Sequence, residues 1–539
     1  MHTITVNRLA LRVAAGAVLA ASFAGSASAA TLSVGPGKTY AAPCAAFARA
    51  ASGDTVEIAG GVTYSGDVCG IAASNLTIRG VNGRPRIDAN GANAQGKGTW
   101  VVSGNNVTVE NVEMLGSHVP DQNGAALRLE GTNFTLRGSF LHDNENGILT
   151  GANTASNILI ETTEFGHNGY GTGYTHNLYI GNVGSLTFRA SYSHDANGGH
   201  NLKSRALVNT ITYSRFSSTP DGQTGTTAIG KPSYEIDLPN AGTSYVIGNV
   251  IEQPSGNSNP AMLAYGEEGA SNPKQDLYVV NNTFLNDDAS RGTFVMVGSA
   301  VTTPVLMQNN IFGGTGTVST QASSIDRTNY RSVAPGFVNR AGYDLHPTAS
   351  ALVIDAGSAP GVSSAGFSLA PQSDYVHIAS SETRTNAGAI DIGAYEAKST
   401  AATPAPTATW TTCASENGTC SFSGTAQVRY GANGVYATKT ATGSIACSNA
   451  VFGDPTPNVA KTCQYSATAA ATPPVAETWT ACGAENATCS FSGTRAVRYG
   501  AAGKFVSKIV KASTVCSNAV FGDPIPNTVK ACFYSSVTQ

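Results

Sequence analysis

Short apolar strands recur through the middle of the chain with a period in the twenties, and nothing else in the sequence limits the fold so tightly. Ser139-Phe140, Glu164-Phe165, Ser191-Tyr192 and Arg215-Phe216 mark similar points at spacings of 25, 27 and 24 residues. Asn281-Asn282-Thr283-Phe284 and Asn309-Asn310-Ile311-Phe312 lie 28 apart. A unit this short cannot bury its own apolar face, so copies must stack into a solenoid. The runs starting at Asn75, Asn106, Asn133 and Asn157 alternate polar and apolar residues with period two, as strands with one buried face do. Asn at equivalent corners suits side-chain amide ladders. Leu-x-x-Leu-x-Leu spacing is absent, and a propeller blade would need about 40 residues. The expected fold is all-β: a right-handed parallel β-helix over residues 30–397. The Ala-rich stretch 41–51, with Cys44, reads as a short helix capping the open end of the tube.

Beyond residue 409 a second repeat has a strict offset of 69. Trp410 to Cys413 recurs at Trp479 to Cys482, Val428-Arg429-Tyr430-Gly431 at Val497 to Gly500, and Cys447 to Asp454 at Cys516 to Asp523. Two small disulfide-bonded β modules are therefore expected, at 410–465 and 479–539, with Ala/Thr/Pro-rich linkers at 398–409 and 466–478. Each module has four cysteines, which allow three pairings. The reading favours Cys413–Cys463 with Cys420–Cys447, hence Cys482–Cys532 with Cys489–Cys516, because the outer pair flanks what look like neighbouring terminal strands. Cys44 and Cys69 remain for each other. An even ten cysteines suits an oxidising compartment. Residues 1–29 read as an export signal: Arg8 and Arg12, an apolar run from Val13 to Ala24, then Ala27-Ser28-Ala29. The chain is expected to be secreted or periplasmic, monomeric and without a membrane span. A net charge of −3 with 12% charged residues argues against nucleic acid as partner.

Chemistry concentrates between residues 174 and 268. His176-Asn177-Leu178-Tyr179 and His200-Asn201-Leu202-Lys203 repeat at a separation of 24, about one coil. Stacked coils lie about 4.8 Å apart. With Leu178, Ile180, Leu202, Ile236 and Leu238 inward, Asn177, Tyr179, Asn201, Lys203, Arg205, Glu235 and Asp237 should face out. Tyr265, Glu267 and Glu268 extend that face. Lys203, Arg205, Tyr179, Asp237 and His200 are the catalytic candidates. Asn177, Asn201, His176, Glu235 and Tyr265 are candidate substrate contacts. His142, His167 and His194 sit in Asn- and Gly-rich turns and read as corner residues. β-Elimination on a uronic acid polymer needs a cation at the carboxylate, a base for the C5 proton and a donor for the leaving oxygen. Arg205 as clamp, Lys203 as base and Tyr179 as donor meet those needs. Calcium could replace the clamp, with Glu235, Asp237, Glu267 and Glu268 as oxygen ligands. In the modules, Trp410 and Trp479 could stack on sugars beside Arg429 and Arg498. Copy two carries Arg495, Lys504, Lys508, Lys511 and Lys530 with few acids, which suits an anionic ligand. Two linked weak sites would gain avidity on a polymer.

The segments Val34 to Tyr40, Gly53 to Ile58, Leu352 to Gly357 and Asp391 to Glu396 resemble secreted β-helix proteins of the pectate lyase-like superfamily, over about two-thirds of the chain. The stretch Asn201 to Phe216 looks like the Lys-Ser motif of alginate lyases and dermatan-cleaving chondroitinases on this fold. That resemblance implies a polysaccharide lyase with Lys203 as base. The second essential Arg of that group lies about two coils later before a Gly, where this chain has Ala264-Tyr265-Gly266. Other expectations stay open: an inverting glycoside hydrolase using Glu235 and Asp237, a uronate C5-epimerase, or a non-catalytic glycan-binding surface protein.

Overall fold

The computed structural model describes residues 29–217, 232–397, 410–432, 435–457, 459–467, 479–501, 504–526 and 528–538. The expected export signal and linkers lie outside these residues, apart from residues 29, 466 and 467.

Period-two alternation along each strand sends every second side chain inward, and stacking repeats it from coil to coil. Val109, Leu136, Ile160, Phe188, Ile211, Val246 and Val279 stand in register in successive coils, and none is exposed. Each coil contributes one strand in turn to three parallel sheets of twelve, eleven and ten strands. This is a parallel β-helix with one continuous core. The apparent aromatic register is off by one at Phe140 and at Tyr192. Phe140 pairs with Glu164, Glu164 with Tyr192, and Tyr192 with Arg215. Leu141, Phe165, Ser193 and Phe216 form the inward column instead. A one-residue slip exchanges the two faces of a strand.

Corners are held by side-chain amides. An exposed ladder runs Asn75–Asn106–Asn133–Asn157, with links of 2.9, 3.0 and 3.2 Å. The first three adopt left-handed backbone angles, which Asn tolerates better than most residues. A buried ladder runs Asn249–Asn282–Asn310–Asn329 and also saturates backbone amides. At the N-terminal end the helix Pro43–Phe47 caps the tube. Cys44 is bonded to Cys69, and the Phe47 ring meets Trp100 edge-on at 5.0 Å. Toward residue 397 the chain covers part of the outer wall of the eleven-stranded sheet, packing Leu345, Tyr375 and Tyr395 on Tyr192, Val250 and Leu285.

Each C-terminal module is a four-stranded antiparallel sheet with a short helix. The disulfides differ from the sequence expectation: Cys413–Cys420 and Cys447–Cys463, repeated as Cys482–Cys489 and Cys516–Cys532. The terminal strands do pair, but the register shifts between Thr412 and Ala414, so Ala414 rather than Cys413 stands beside Cys463. The bulge turns Cys413 to Cys420, 4.9 Å away between Cα atoms. All ten cysteines are paired, the usage of an extracytoplasmic protein. Among the described residues no helix is long and apolar enough to cross a membrane. Tryptic cleavage after Arg429 and Lys461 without reduction should leave Cys413 and Cys420 on one peptide. Cys447 and Cys463 should then lie on two other peptides joined to each other. A peptide joining Cys413 or Cys420 to either of those contradicts the pairing.

Candidate functional site

On the outer face of the ten-stranded sheet, the strands Leu178–Ile180, Leu202–Ser204 and Ile236–Leu238 lie side by side. Their register pairs Tyr179 with Lys203 and Lys203 with Asp237. The same column holds Leu149 on one side and Ala264 then Met296 on the other. The polar patch is thus three coils deep, with apolar neighbours at both ends.

Lys203 Nζ lies 2.9 Å from Asp237 Oδ2 and 2.9 Å from Glu268 Oε1. Glu268 Oε2 accepts from Arg205 Nη2 at 2.6 Å, so one carboxylate bridges the two cations. Arg205 Nε donates to the Tyr179 hydroxyl at 2.9 Å, and its Nη1 bonds Asn240. The Glu268 side chain is 45% exposed, whereas Lys203 and Asp237 are 10% and 1% exposed. The bridging carboxylate therefore stands on the solvent side of buried charges. Burial works against the charge on Lys203, but Asp237 and Glu268 outweigh it and hold the ammonium above its ordinary value. Burial likewise opposes the Glu268 charge, and Lys203 with Arg205 still holds its carboxyl below the usual range.

Beneath this surface burial, then the neighbouring Asp237, pushes the Glu267 carboxyl well up. That favours its protonated form, which can bond Asp237 where two ionised acids would repel. The turn carrying Glu267 and Glu268 begins at Gly266, with φ 74°. A Cβ there would lie 2.4 Å from Val301 Cγ2, so glycine is required.

His176 stacks on His200 at 4.8 Å, and His200 on Tyr234 at 5.0 Å. Nδ1 of each histidine accepts a backbone N–H from the next coil, His200 N at 3.0 Å and Tyr234 N at 3.2 Å. The ring proton is therefore assigned to Nε2, and in His200 that atom faces Asp237 Oδ2 at 3.2 Å. Burial pushes His176 down to about 3 and His200 well below the usual imidazole value. His200 thus orients Asp237 as a neutral donor, and His176 props the Tyr179 ring edge-on at 5.6 Å.

Several expected contacts are not on this surface. Asn177 and Asn201 are fully buried at the corner, in a ladder of side-chain bonds from Asn168 through Asn177 and Asn201 to Glu235. Glu235 is fully buried too, and burial pushes its carboxyl up to about 8. These three precede the strands, where the corner turns the side chain inward, so strand alternation does not govern them. Tyr265 is likewise fully buried and donates to Gly242 O at 2.7 Å. Glu235 and Asp237 therefore do not form the pair of facing carboxyls that inversion would need. The four expected calcium ligands do not converge among the described residues: Glu235 lies in the corner ladder, and Asp237 and Glu268 are paired with Lys203 and Arg205. Among the described residues, only His167, His194 and Asp195 bring three or more His, Cys, Asp or Glu ligand atoms together.

Tyr234, Asn240 and the raised carboxyl of Glu267 were not foreseen. Tyr234 had a signal, since it precedes Glu235 as His176 and His200 precede Asn177 and Asn201. Asn240 had none, because only coil geometry brings it to Arg205, 35 residues away in sequence.

In the modules, the Arg429 guanidinium covers Trp410 at 4.3 Å and Tyr436 at 4.2 Å, and Arg498 covers Trp479 at 4.4 Å. One face of each indole is thus taken by a cation. Lys530 is buried, bonded to Asp523, Glu485 and two carbonyls, so it is not part of a basic surface.

No known family model matches the chain, and no curated protein matches it. Among solved structures, the crystal structure of pectate lyase Pel9A is similar at a TM-score of 0.45 and 15% identity, over 66% of this chain and 90% of that one. ORF18 of Geobacillus virus E2 is similar at a TM-score of 0.33 and 14% identity, over 53% and 55%. The strand register carries the fold assignment, without these likenesses.

Proposed function

We propose that the protein is a secreted polysaccharide lyase that cleaves an acidic glycan by β-elimination on the outer face of the ten-stranded sheet. The observation that supports this most is the Glu268 carboxylate bridging Lys203 and Arg205 beside the Tyr179 hydroxyl. It marks a place built for a carboxylate, open to solvent and backed by two cations, where a uronate can exchange for Glu268.

Seated there, the C6 carboxylate is neutralised and the C5 proton becomes more acidic. Lys203 was the base on the sequence reading. Its two carboxylates keep it an ammonium, and an incoming uronate replaces the charge of Glu268, so Lys203 works as a cation. Tyr179 is then the group that moves the proton. Arg205 and Lys203 flank its ring at 5.7 and 6.0 Å, and Arg205 Nε donates to its oxygen. Acting as the base, the Tyr179 oxygen takes the C5 proton, the C–H pair forms the C4–C5 double bond, and the C4–O4 bond breaks. When the C5 proton and O4 share a ring face, the same phenol returns the proton to the leaving oxygen. Asp237, His200 and Glu267 hold Lys203 in place.

If Glu268 occupies the seat of a substrate carboxylate, Glu268→Gln removes the competing charge from that seat without changing its shape. Binding of an acidic oligosaccharide should tighten several-fold, while binding of a neutral one of equal length stays constant. Calorimetric titration reads both. Equal or weaker binding of the acidic sugar would rule out the exchange.

A further inference from the structure

At the corner between the eleven- and ten-stranded sheets, away from the Tyr179–Lys203–Asp237 column, a His-Asp pair recurs in alternate coils. His142 Nδ1 lies 2.6 Å from Asp143 Oδ2, with its Nε2 3.2 Å from Glu113. Two coils on, His194 Nδ1 lies 2.7 Å from Asp195 Oδ2, with its Nε2 3.2 Å from Glu164. The coil between carries Gly166-His167. Gly166 leaves room for the His194 ring, since a Cβ there would come within 2.7 Å of it. His167 adds a third ligand to the upper pair: His167, His194 and Asp195 each offer a ligand atom, all within 4.8 Å of one another. The Nδ1 atom of His167 is buried and has no hydrogen-bond partner among the described residues.

We infer that His167, His194 and Asp195 form a binding site for a first-row transition-metal ion of the zinc class. Two imidazole nitrogens and a carboxylate are ligands that suit zinc, and three protein ligands leave the fourth place open. Bond lengths near 2.0–2.1 Å put tetrahedral ligand atoms about 3.3 Å apart, so closing the cluster takes side-chain shifts of about 1.5 Å at most. The ion takes the place of the proton between His194 and Asp195. Glu164 already grips the far nitrogen of His194, the carboxylate support that metal-bound histidines usually have. His167 also lines a pocket of about 390 Å³ with His118, Asp143, Glu145 and Tyr170, which gives an ion access and an anionic approach.

The test uses the full chain, stripped with a chelator and titrated with Zn2+ by calorimetry and with Co2+ by visible absorption. One ion per chain should bind, with a cobalt spectrum of low-symmetry four-coordination. His167→Asn keeps a residue that tolerates the left-handed backbone angle of 56° and should lower affinity at least 100-fold. Glu164→Gln should lower it 10–100-fold by loosening His194. His142→Gln alters the matching lower pair, which the convergence does not include, and should leave affinity unchanged. Absence of stoichiometric binding overturns the site, as does unchanged affinity in His167→Asn. Equal losses in His142→Gln and His167→Asn would also overturn it, because they would mean nonspecific binding to corner histidines.

Discussion

Replacing Tyr179 with phenylalanine should lower kcat on the acidic glycan by about 10²–10⁴-fold, the range for losing a group that transfers a proton in the transition state. The change removes one oxygen. The ring, its edge contact with His176 and the two flanking cations remain, and Arg205 keeps Glu268 and Asn240. Tyr179 is half-buried on the outer wall and contributes nothing to the inward column. Thermal stability should therefore change little, and KM should move far less than kcat. Initial rates with a thermal melt of the same preparation check this. An unchanged kcat would remove Tyr179 from the chemistry, and a large fall in melting temperature would make its role structural.

Asn282→Leu should have the largest effect on stability. Asn282 Oδ1 accepts from both the backbone and side-chain nitrogens of Asn249, at 2.9 and 3.0 Å. Its Nδ2 donates to Val246 O at 2.8 Å and to Asn310 Oδ1 at 3.0 Å. All are buried, so leucine strands several polar groups at about 1–3 kcal/mol each, and a net loss of about 3–5 kcal/mol follows after relaxation. At about 2–4 °C per kcal/mol for a large domain, the melting temperature should fall by roughly 10 °C. Asn157→Leu in the solvent-facing ladder should cost under about 1 kcal/mol, because water replaces its partners. Differential scanning of both variants separates the cases. Equal small shifts would mean that the buried ladder does not brace the coils.

The same corners explain what the sequence could and could not reveal. The coil period, the inward strand positions and the stacking of Tyr179, Lys203 and Asp237 follow from periodicity, because register in a solenoid is set by repeat length. Asn177, Asn201 and Glu235 were misread because each stands one residue before a strand, where the turn rather than the pleat sets side-chain direction. Phe140 was aligned with Phe165 by type, yet coil lengths vary and pair it with Glu164. The module disulfides turned on a single bulge at Cys413, invisible in residue spacing. Charge state was the least legible. The carboxylates that keep Lys203 charged arrive from the next two coils, so only coordinates decide whether that lysine is a base or a cation.

A panel of acidic and neutral polysaccharides, followed at once by ultraviolet absorbance and reducing-end release, probes the assigned chemistry at its root. The account predicts that an acidic polymer yields new ends and an absorbing unsaturated ring in equal number, and that Tyr179→Phe slows both to the same extent. New ends without absorbance would mean hydrolysis, and exchange at C5 without new ends would mean epimerisation. Tight binding of the acidic polymer with no turnover would mean a display surface. Each of these three results would contradict the account.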